Sequence, residues 1–424
     1  MGFQGPSALG GSSVARLRAA TAKPWPCLCL DWLSLLTRPR LFAGALVAPA
    51  VVLVVLALVV PLLVAFATAV RDPEMREAMP LTAQLLRAWD GRGVPDEAVF
   101  AAAARELRAA EGAQALGALS RRLNFERSGM RGMLLRTARA QMAAPYSMAM
   151  PAVDGRWGEP STWAMLRRAS LGVTPLYLLR AVDLDVAADG GVVAQPDEEA
   201  VFLRLFGRTM AIALQVTAVT LLVAYPAAYT IARLSPGWAR LATVLVLVPF
   251  WVSILVRTTA WFILLQREGP VNAALLALGV VDAPMQLIFT RFAVVLAMVH
   301  VLLPFAILPM VGVMRRIDPR LGRAATSLGA TRWQHFRHVY FPLSLPGVGA
   351  GGLIVFMLAV GFYITPALVG GYSDQMVSAF IADYTTSTLN WGMAGALALL
   401  LLLLTGVMVG LALLLVPRLR ARVA

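Results

Sequence analysis

The side chains best suited to chemistry are concentrated in one stretch of the C-terminal half, from Arg323 to Gly351. This stretch carries three arginines and two histidines between two strongly apolar segments. Guanidinium groups form charge-assisted hydrogen bonds with carboxylates, so the stretch can bind an acidic partner. Glycine and proline recur in it, which is unfavourable for a helix that faces lipid. We therefore predict a folded loop here and not a membrane span.

The sequence contains no set of residues that is typical of an enzyme active site. Its two cysteines, Cys27 and Cys29, form a Cys-x-Cys pair that we interpret as ordinary thiols and not as a metal site. Lys23 is the single lysine, which excludes a phosphate-binding loop with the sequence Gly-Lys-Ser/Thr. We predict no catalytic residue, no bound metal and no cofactor.

The composition is that of a membrane protein. Hydrophobic residues make up 59% of the 424 residues and the mean hydropathy is +0.73, whereas soluble domains are about half apolar. The formal net charge is +14, yet residues 71–205 hold 17 basic and 17 acidic residues, and the rest of the chain holds 20 and 6. The basic excess flanks apolar segments, as membrane topology requires, so we predict no nucleic-acid partner.

Six apolar segments are long enough to cross a lipid bilayer, which predicts an all-α membrane protein with six transmembrane helices. Arginines follow the second, fourth and sixth segments, whereas the intervening connections carry the acidic residues. By the positive-inside rule, both termini then lie in the cytoplasm. The segments are residues 41–70, 209–232, 239–265, 291–314, 347–371 and 393–417.

These segments divide the chain into four parts. Residues 1–40 are predicted to form a partly disordered cytoplasmic arm, because they contain few large apolar side chains. Residues 41–70 form the first transmembrane helix. Residues 71–205 form an extracytoplasmic insertion, mostly helical because Ala, Leu, Arg and Glu dominate parts of it. Residues 206–424 form the core with helices 2 to 6, including a cytoplasmic loop at 315–346.

The loop that contains Arg323 resembles the EAA loop of permease subunits of ABC importers. The pattern of that loop is Glu-Ala-Ala, three residues, Gly, nine residues, an aliphatic residue, any residue, Leu and Pro. Here Arg323-Ala324-Ala325 is followed three residues later by Gly329, and nine further residues lead to Val339-Tyr340-Phe341-Pro342. Arg323 stands where the family has glutamate, so the contact of that carboxylate with the ATPase is lost or has the opposite polarity.

The resemblance implies a type I ABC importer permease fold and a way of driving it. A short helix over Ala324–Leu328, ended at Gly329 by a positive backbone angle, would dock on a separate ATPase and transmit its movement. Pro342 and Pro346 would end the second helix of the loop and begin the fifth span. The residues implied in ATPase coupling are Arg323, Ala324, Ala325, Leu328, Gly329, Ala330 and Pro342.

The resemblance extends over roughly residues 200–424 and is strongest to the polyamine-type (spermidine/putrescine) permeases. Supporting segments are Tyr225–Tyr229, 247–261 and Pro366–Gly371. It implies two ATPase subunits, a second permease subunit that is either a copy of this chain or a different one, and an extracytoplasmic solute-binding protein. In the bacterial inner membrane this machine would import a small solute, such as a polyamine, by alternating access.

Few residues in or beside the predicted spans are suited to contact a solute. Arg257 and Trp261 lie late in the third span, and Tyr363, Tyr372 and Trp391 lie in or beside the fifth and sixth. These five are candidates for the substrate pathway. An equal alternative for Arg257 is that its guanidinium reaches the outer headgroups. In the fourth span, an interhelical hydrogen bond is expected for His300.

Two other classes of membrane protein stay open from the residues alone. A receptor or sensor would use residues 71–205 for detection, but it would need a cytoplasmic output module larger than the loops predicted here. An ion-coupled secondary transporter would be expected to contain inverted repeats and buried carboxylates, and neither is evident in the sequence.

Overall fold

A computed structural model describes residues 39–187 and 190–423, with side chains described from residue 46 to residue 414 within those ranges. The described residues divide into two units, one up to Pro61 and one from Leu62 onward, and the candidate sites lie within the second. The predicted cytoplasmic arm, with Lys23, Cys27 and Cys29, lies outside the described residues.

The first long helix, α1 (Pro39–Val70), leads to a region of short helices that fold around a hydrophobic core of their own. Trp157 and Trp163 are fully buried in this core. The Trp157 indole donates to Thr137 Oγ1 at 2.8 Å, and the Trp163 indole donates to the Trp157 carbonyl at 2.8 Å. Because both buried donors are satisfied, the two indoles have defined positions. The helices are α1 (Pro39–Val70), α2 (Glu74–Ala78), α3 (Pro80–Ala88), α4 (Glu97–Ala109), α5 (Gln114–Glu126), α6 (Met130–Arg139), α7 (Tyr146–Val153), α8 (Pro160–Ser170) and α9 (Leu176–Arg180), with a 3-10 turn at Gly155–Gly158.

This region begins and ends at the same place, beside the last turn of α1. Thr174 N donates to the Val70 carbonyl at 2.8 Å, and Asp72 N donates to the Gly172 carbonyl at 3.1 Å. The outgoing and returning chains therefore run side by side as a short antiparallel bridge.

A small antiparallel hairpin follows α9 and leads into the core. Its strands are β1 (Leu184–Val186) and β2 (Val192–Ala194). Asp183, just before β1, accepts hydrogen bonds from the backbone N–H groups of Phe202 and Leu203, each at 2.8 Å. A carboxylate at this position satisfies donors that a helix start leaves unpaired, so it fixes where the next long helix begins.

The remaining described helices form the core. Among the described residues, five helices are long and apolar enough to cross a membrane, and a bent pair gives a sixth if it is counted as one span. This agrees with the predicted all-α architecture. The helices are α10 (Phe202–Arg233), α11 (Pro236–Leu247), α12 (Ile254–Leu264), α13 (Pro270–Ala277), α14 (Arg291–Met314), α15 (Pro319–Ser327), α16 (Arg332–His335), α17 (Phe341–Gly361), α18 (Ile364–Val369), α19 (Val377–Thr386) and α20 (Trp391–Val423).

The third predicted span, residues 239–265, is not one continuous helix. Helix α11 runs into a 3-10 turn at Val248–Trp251, and α12 then departs at 92°. Pro249 lies inside the turn, and Val252 after it is extended. Proline supplies no N–H for the helical ladder, which accounts for the break at this point.

The fifth predicted span, residues 347–371, is wrong at both ends. The helix runs without interruption from Arg332 to Gly361, through a π-helical turn at Phe336–Tyr340. In that turn Phe341 N donates to the Phe336 carbonyl, five residues back. A π turn changes the hydrogen-bond ladder just where Pro342 lacks its N–H, so the proline is accommodated and does not end the helix. The prediction that Pro342 and Pro346 separate two helices is therefore wrong.

Two glycines that we predicted to lie in the folded loop from Arg323 to Gly351 belong instead to the long helix α17, where they pack on α14. A Cβ atom on Gly351 would lie 2.9 Å from the Ala306 carbonyl oxygen, and one on Gly347 would lie 3.1 Å from the Met310 Cα. The spacing of four residues puts both glycines on one face, against α14. They allow close helix packing inside the membrane and are not loop punctuation.

Candidate coupling site and solute path

Helix α15 is the first arm of an elbow between α14 and α17, and both of its ends are capped. Asp318 Oδ1 accepts a hydrogen bond from Arg320 N at 2.8 Å, and Gly329 follows the helix with φ +85°. Gly329 N donates to the Thr326 carbonyl and Ala330 N donates to the Ala325 carbonyl, each at 3.0 Å. This pair of bonds is a Schellman motif. The prediction that Gly329 ends the helix with a positive backbone angle is confirmed.

One face of α15 is apolar and exposed. Leu321, Ala324, Ala325 and Leu328 follow the i, i+3, i+4, i+7 spacing of a single helical face. Leu321 is 46% exposed and Leu328 is 89% exposed, while the two alanines between them leave room for a partner. Sequence reasoning missed Leu321, although this spacing would have identified it.

The second arm of the elbow starts at a capping box. Thr331 Oγ1 accepts from Gln334 N at 3.3 Å, and Gln334 Oε1 accepts from Thr331 N at 2.8 Å. Such reciprocal bonds satisfy two of the donors at a helix start. The chain therefore turns within Gly329–Thr331 and enters the long helix that becomes α17.

An aromatic cluster fastens this second arm to the membrane helices. The Phe336 ring lies 5.7 to 6.3 Å, centroid to centroid, from five other rings. Tyr225 and Tyr229 belong to α10, and the Tyr225 hydroxyl lies 3.0 Å from Ser344 Oγ of α17. The second arm of the elbow is therefore packed on α10 and is continuous with α17. The five rings are those of Tyr225, Tyr229, Trp333, Tyr340 and Phe341.

The other three predicted coupling residues lie on α15, at the turn after α15 and at the start of α17. Arg323 is exposed on α15 and forms no ion pair with any described residue. Ala330 is half-buried at the turn, and Pro342 is the second residue of α17. With Ala324, Ala325, Leu328 and Gly329, the predicted set thus forms one local structure, except for Pro342 at the far end of the π turn.

The candidate pathway residues do not form one cluster. The Trp261 indole on α12 donates to His300 Nδ1 on α14 at 3.1 Å, which confirms the expected interhelical bond of His300. Arg257 is one turn earlier on α12 and half-buried, and its Nε atom is buried without a hydrogen-bond partner among the described residues. Tyr363 is 45% exposed and Tyr372 is 89% exposed.

Trp391, the fifth candidate, lies at the start of α20 on a separate cleft of about 400 Å³. The cleft is also lined by Tyr177 of α9 and by Tyr384 of α19. Tyr177 packs directly on the backbone of Gly392, because a Cβ there would lie 2.4 Å from the Tyr177 ring. The short-helix region and the last membrane helix therefore meet at this cleft.

A buried charged cluster beside the same cleft was not predicted. Arg122 of α5 pairs with Asp72 at 2.6 Å and with Glu126, whose other oxygen pairs with Arg168 at 2.7 Å. Glu74 lies next to this network, and burial raises its pKa from 4.5 to about 7. The members are spread from residue 72 to residue 168, so no local spacing indicates the cluster.

A bundle of helices that are long and apolar enough to cross a bilayer, with a helical elbow exposed between two of them, defines a multi-pass membrane protein. The chain belongs to the family of binding-protein-dependent transport system inner membrane components, whose sequence profile matches residues 202–421. The match begins at the first residue of α10 and includes the elbow. The protein is thus the transmembrane subunit of an ABC importer and a multi-pass protein of the inner membrane.

Individual transport proteins are similar to part of this chain. The spermidine/putrescine transport system permease protein PotB of Haemophilus influenzae is 33% identical over 193 residues, which cover 46% of this chain and 68% of that protein. PotB of Escherichia coli is 34% identical over 196 residues, covering 46% and 71%. The inner membrane ABC transporter permease protein YdcU of Escherichia coli is 33% identical over 177 residues, covering 38% and 56%.

Two solved transporters are more distant. A bacterial alginate ABC transporter in complex with a pentasaccharide-bound periplasmic protein is 21% identical, with a TM-score of 0.42 over 50% of this chain and 80% of that one. The MetNI methionine ABC transporter in an inward-facing conformation is 18% identical, with a TM-score of 0.39 over 52% and 95%.

Proposed function

We propose that this permease passes a polyamine or a similar small organic cation from an extracytoplasmic binding protein to the cytoplasm by alternating access. The similarity to the PotB permeases supports this solute class. The complete importer would contain two ATPase subunits and a second permease subunit, either a copy of this chain or a different one. ATP hydrolysis would take place in the ATPase subunits.

The observation that carries the coupling proposal is the exposed apolar face of α15. An apolar helical face left in water is costly unless a partner covers it, and this one lies on a helix capped at both ends. We assign the docking of the ATPase to Arg323, Ala324, Ala325, Leu328, Gly329 and Ala330, with Leu321 added. Pro342 shapes the π turn that links this surface to α17.

The distribution of charge supports the proposed orientation. The elbow carries arginines, and Arg233 and Arg240 flank the α10–α11 connection. Both connections would face the cytoplasm, together with both termini. Residues 71–205 would then face the other side, where the solute-binding protein docks. The cleft at Trp391 lies where this region meets the permease core.

For the solute path we propose two stations. The first is the outer cleft, where Trp391 offers an aromatic face to a cation. The second is the face of α12 that carries Arg257 and Trp261. Exposed Tyr363 and Tyr372 would line the entrance between them.

The proposal is tested by replacing Gly329 with valine. A β-branched residue at φ +85° is strained, by about 1–2 kcal/mol, so the turn between the two arms should open while the membrane helices stay folded. We expect the Gly329→Val protein to lose co-purification with its phosphate-loop ATPase and to lose ATP-dependent uptake of radiolabelled spermidine in proteoliposomes.

Gly237→Val is the matched control. A Cβ at Gly237 meets nothing within 4 Å, as at Gly329, but its backbone is not in the positive-φ region. This variant should keep both ATPase binding and uptake. Retained complex and retained uptake in Gly329→Val would contradict the coupling role. Absence of ATP-dependent spermidine uptake by the unsubstituted protein in its complete importer would contradict the solute class.

A further inference from the structure

A cavity of about 530 Å³ lies behind the elbow, and its charged lining is mainly basic. Arg233 at the end of α10, Arg315 after α14, Arg323 on α15 and His335 on α16 line it together. These side chains come from four elements, so the fold concentrates them in one place.

The positive charge of this cavity is not neutralised within the described residues. None of its three arginines forms an ion pair there, and Asp318, the one acidic residue in the lining, caps α15 through Arg320 N. Arg233 lies over the Tyr229 ring at 3.9 Å and the Tyr340 ring at 4.9 Å, which holds its guanidinium in position. The cavity therefore carries an excess of cationic groups, of which Arg233 is held in position.

His335 is placed in the cavity wall by a glycine. A Cβ atom on Gly322 would lie 2.8 Å from His335 Nε2, so only glycine lets the imidazole pack this closely on α15. The two arms of the elbow thus meet at the cavity.

The other half of the lining is apolar and comes from the ends of membrane helices. Met314 is the last residue of α14, and Val339 and Tyr340 lie in the π turn before α17. In the orientation proposed above, on which this step rests, these helix ends lie at the depth of the cytoplasmic headgroups. At this depth the basic side of the cavity matches the phosphate headgroup of a phospholipid, and the apolar side matches the start of its acyl chains.

We propose that the cavity binds the phosphate headgroup of an anionic phospholipid from the cytoplasmic leaflet. Arg315 and Arg323 bind the phosphate oxygens, since guanidinium groups pair well with phosphate. Arg323 is exposed and lines the cavity, so it belongs both to this site and to the ATPase surface proposed above. The glycerol and the first acyl carbons pack on Met314 and Val339. The bound lipid joins α15 to the ends of α10 and α14, and so stiffens the attachment of the elbow.

The test uses the full-length protein in nanodiscs of phosphatidylcholine that contain increasing fractions of phosphatidylglycerol. Thermal unfolding gives the fraction at half-maximal stabilisation, and native mass spectrometry counts the retained phosphatidylglycerol. We expect Arg315→Gln to need about tenfold more phosphatidylglycerol, because it loses a charge-assisted hydrogen bond to the headgroup phosphate. Arg315→Lys should be intermediate. Neither the ATPase nor the solute is needed, so the result is independent of the transport assay.

Arg316→Gln is the matched control, because it removes the same charge from the neighbouring exposed residue, which does not line the cavity. It should behave as the unsubstituted protein. Equal shifts in Arg315→Gln and Arg316→Gln would overturn the proposal in favour of general surface charge. If millimolar inorganic phosphate stabilised the protein fully in nanodiscs of phosphatidylcholine alone, the cavity would bind a soluble anion and not a lipid, and the proposal would be overturned. If Arg315→Gln does not fold, Arg323→Gln makes the same comparison.

Discussion

Glu74 is a half-buried carboxyl group of the short-helix region and lies beside the fully buried Asp72. Its Oε2 atom and the Oδ1 atom of Asp72 are both buried and without a hydrogen-bond partner among the described residues. Arg122, buried beside them, is already occupied by Asp72 and Glu126. Glu74 therefore has no arginine to neutralise its charge, and its carboxylate binds a proton more tightly than it would in water.

This environment predicts a pH dependence of stability. Burial raises the pKa of Glu74 to about 7 in the folded protein, from 4.5 when it is exposed. The folded state therefore binds this proton more tightly than the unfolded state does, and the contribution to stability is lost as the pH rises from about 4.5 to about 7. We expect the thermal midpoint of the purified protein to fall over that range, and Glu74→Gln to remove this part of the decrease.

Glu77→Gln is the control for Glu74→Gln, because Glu77 lies on the same short helix but is exposed. It should leave the pH dependence unchanged. Identical pH profiles for the Glu74→Gln and unsubstituted proteins would show that Glu74 does not hold the proton.

Residues differ in how far the sequence predicts their role. Gly329 was predictable because a positive backbone angle after a helix is a local requirement that glycine meets. Glu74 was not, because its neighbours Arg122 and Glu126 are brought to it only by the folded chain. Arg323 was recognised by its position in a pattern, but the cavity behind it was not, since that needs three other elements.

At the scale of elements, the packing of α17 on α14 depends on two glycines. A methyl group on Gly351 would lie 2.9 Å from the Ala306 carbonyl oxygen and 3.1 Å from the Ala306 Cα, which are backbone atoms that cannot rotate away. The two helices would have to move apart.

We therefore expect Gly351→Ala to destabilise the protein by about 1–3 kcal/mol, the usual cost of overpacking. Gly349→Ala, on the same helix, meets nothing within 4 Å, and it should be neutral or stabilising by about 0.5–1 kcal/mol, because alanine is a better helix former. Unfolding of the two variants by denaturing detergent compares them directly. Equal stability of both would show that the close approach is not required.

The elements show why hydropathy located spans better than it located their ends. The fourth span, residues 291–314, was predicted from its apolar run and coincides with α14. Pro249 and Pro342 look alike in the sequence, yet one lies at a 92° bend and the other in a continuous helix. The difference is the π turn before Pro342, which long-range packing of Phe336 supports and which no local rule predicts.

At the scale of the whole molecule, the proposed topology places α4 and α15 on opposite sides of the membrane. We use cells whose outer membrane has been permeabilised and whose inner membrane is intact. In these cells we expect a membrane-impermeant maleimide to label Ala98→Cys, and to label Ser327→Cys only after lysis. Both positions are exposed. Cys27 and Cys29 would first be replaced by serine, and that cysteine-free protein is the control for background labelling.

Labelling of Ser327→Cys before lysis would contradict the proposed orientation. It would also contradict the ATPase docking surface and the cytoplasmic lipid site, which depend on that orientation. Labelling of neither position before lysis would contradict the extracytoplasmic location of residues 71–205.

The bridge beside the last turn of α1 has a consequence for how this chain can vary. The strand that departs at Asp72 and the strand that returns at Thr174 are already paired, so the polypeptide between them closes on itself. If this polypeptide is shortened or lengthened, the distance between Asp72 and Thr174 and the direction in which the chain leaves the bridge stay the same. The helices that follow therefore need not move. Natural or engineered differences in size should therefore accumulate between residues 73 and 171, where the permease can gain, exchange or lose a recognition module without rebuilding its path through the membrane.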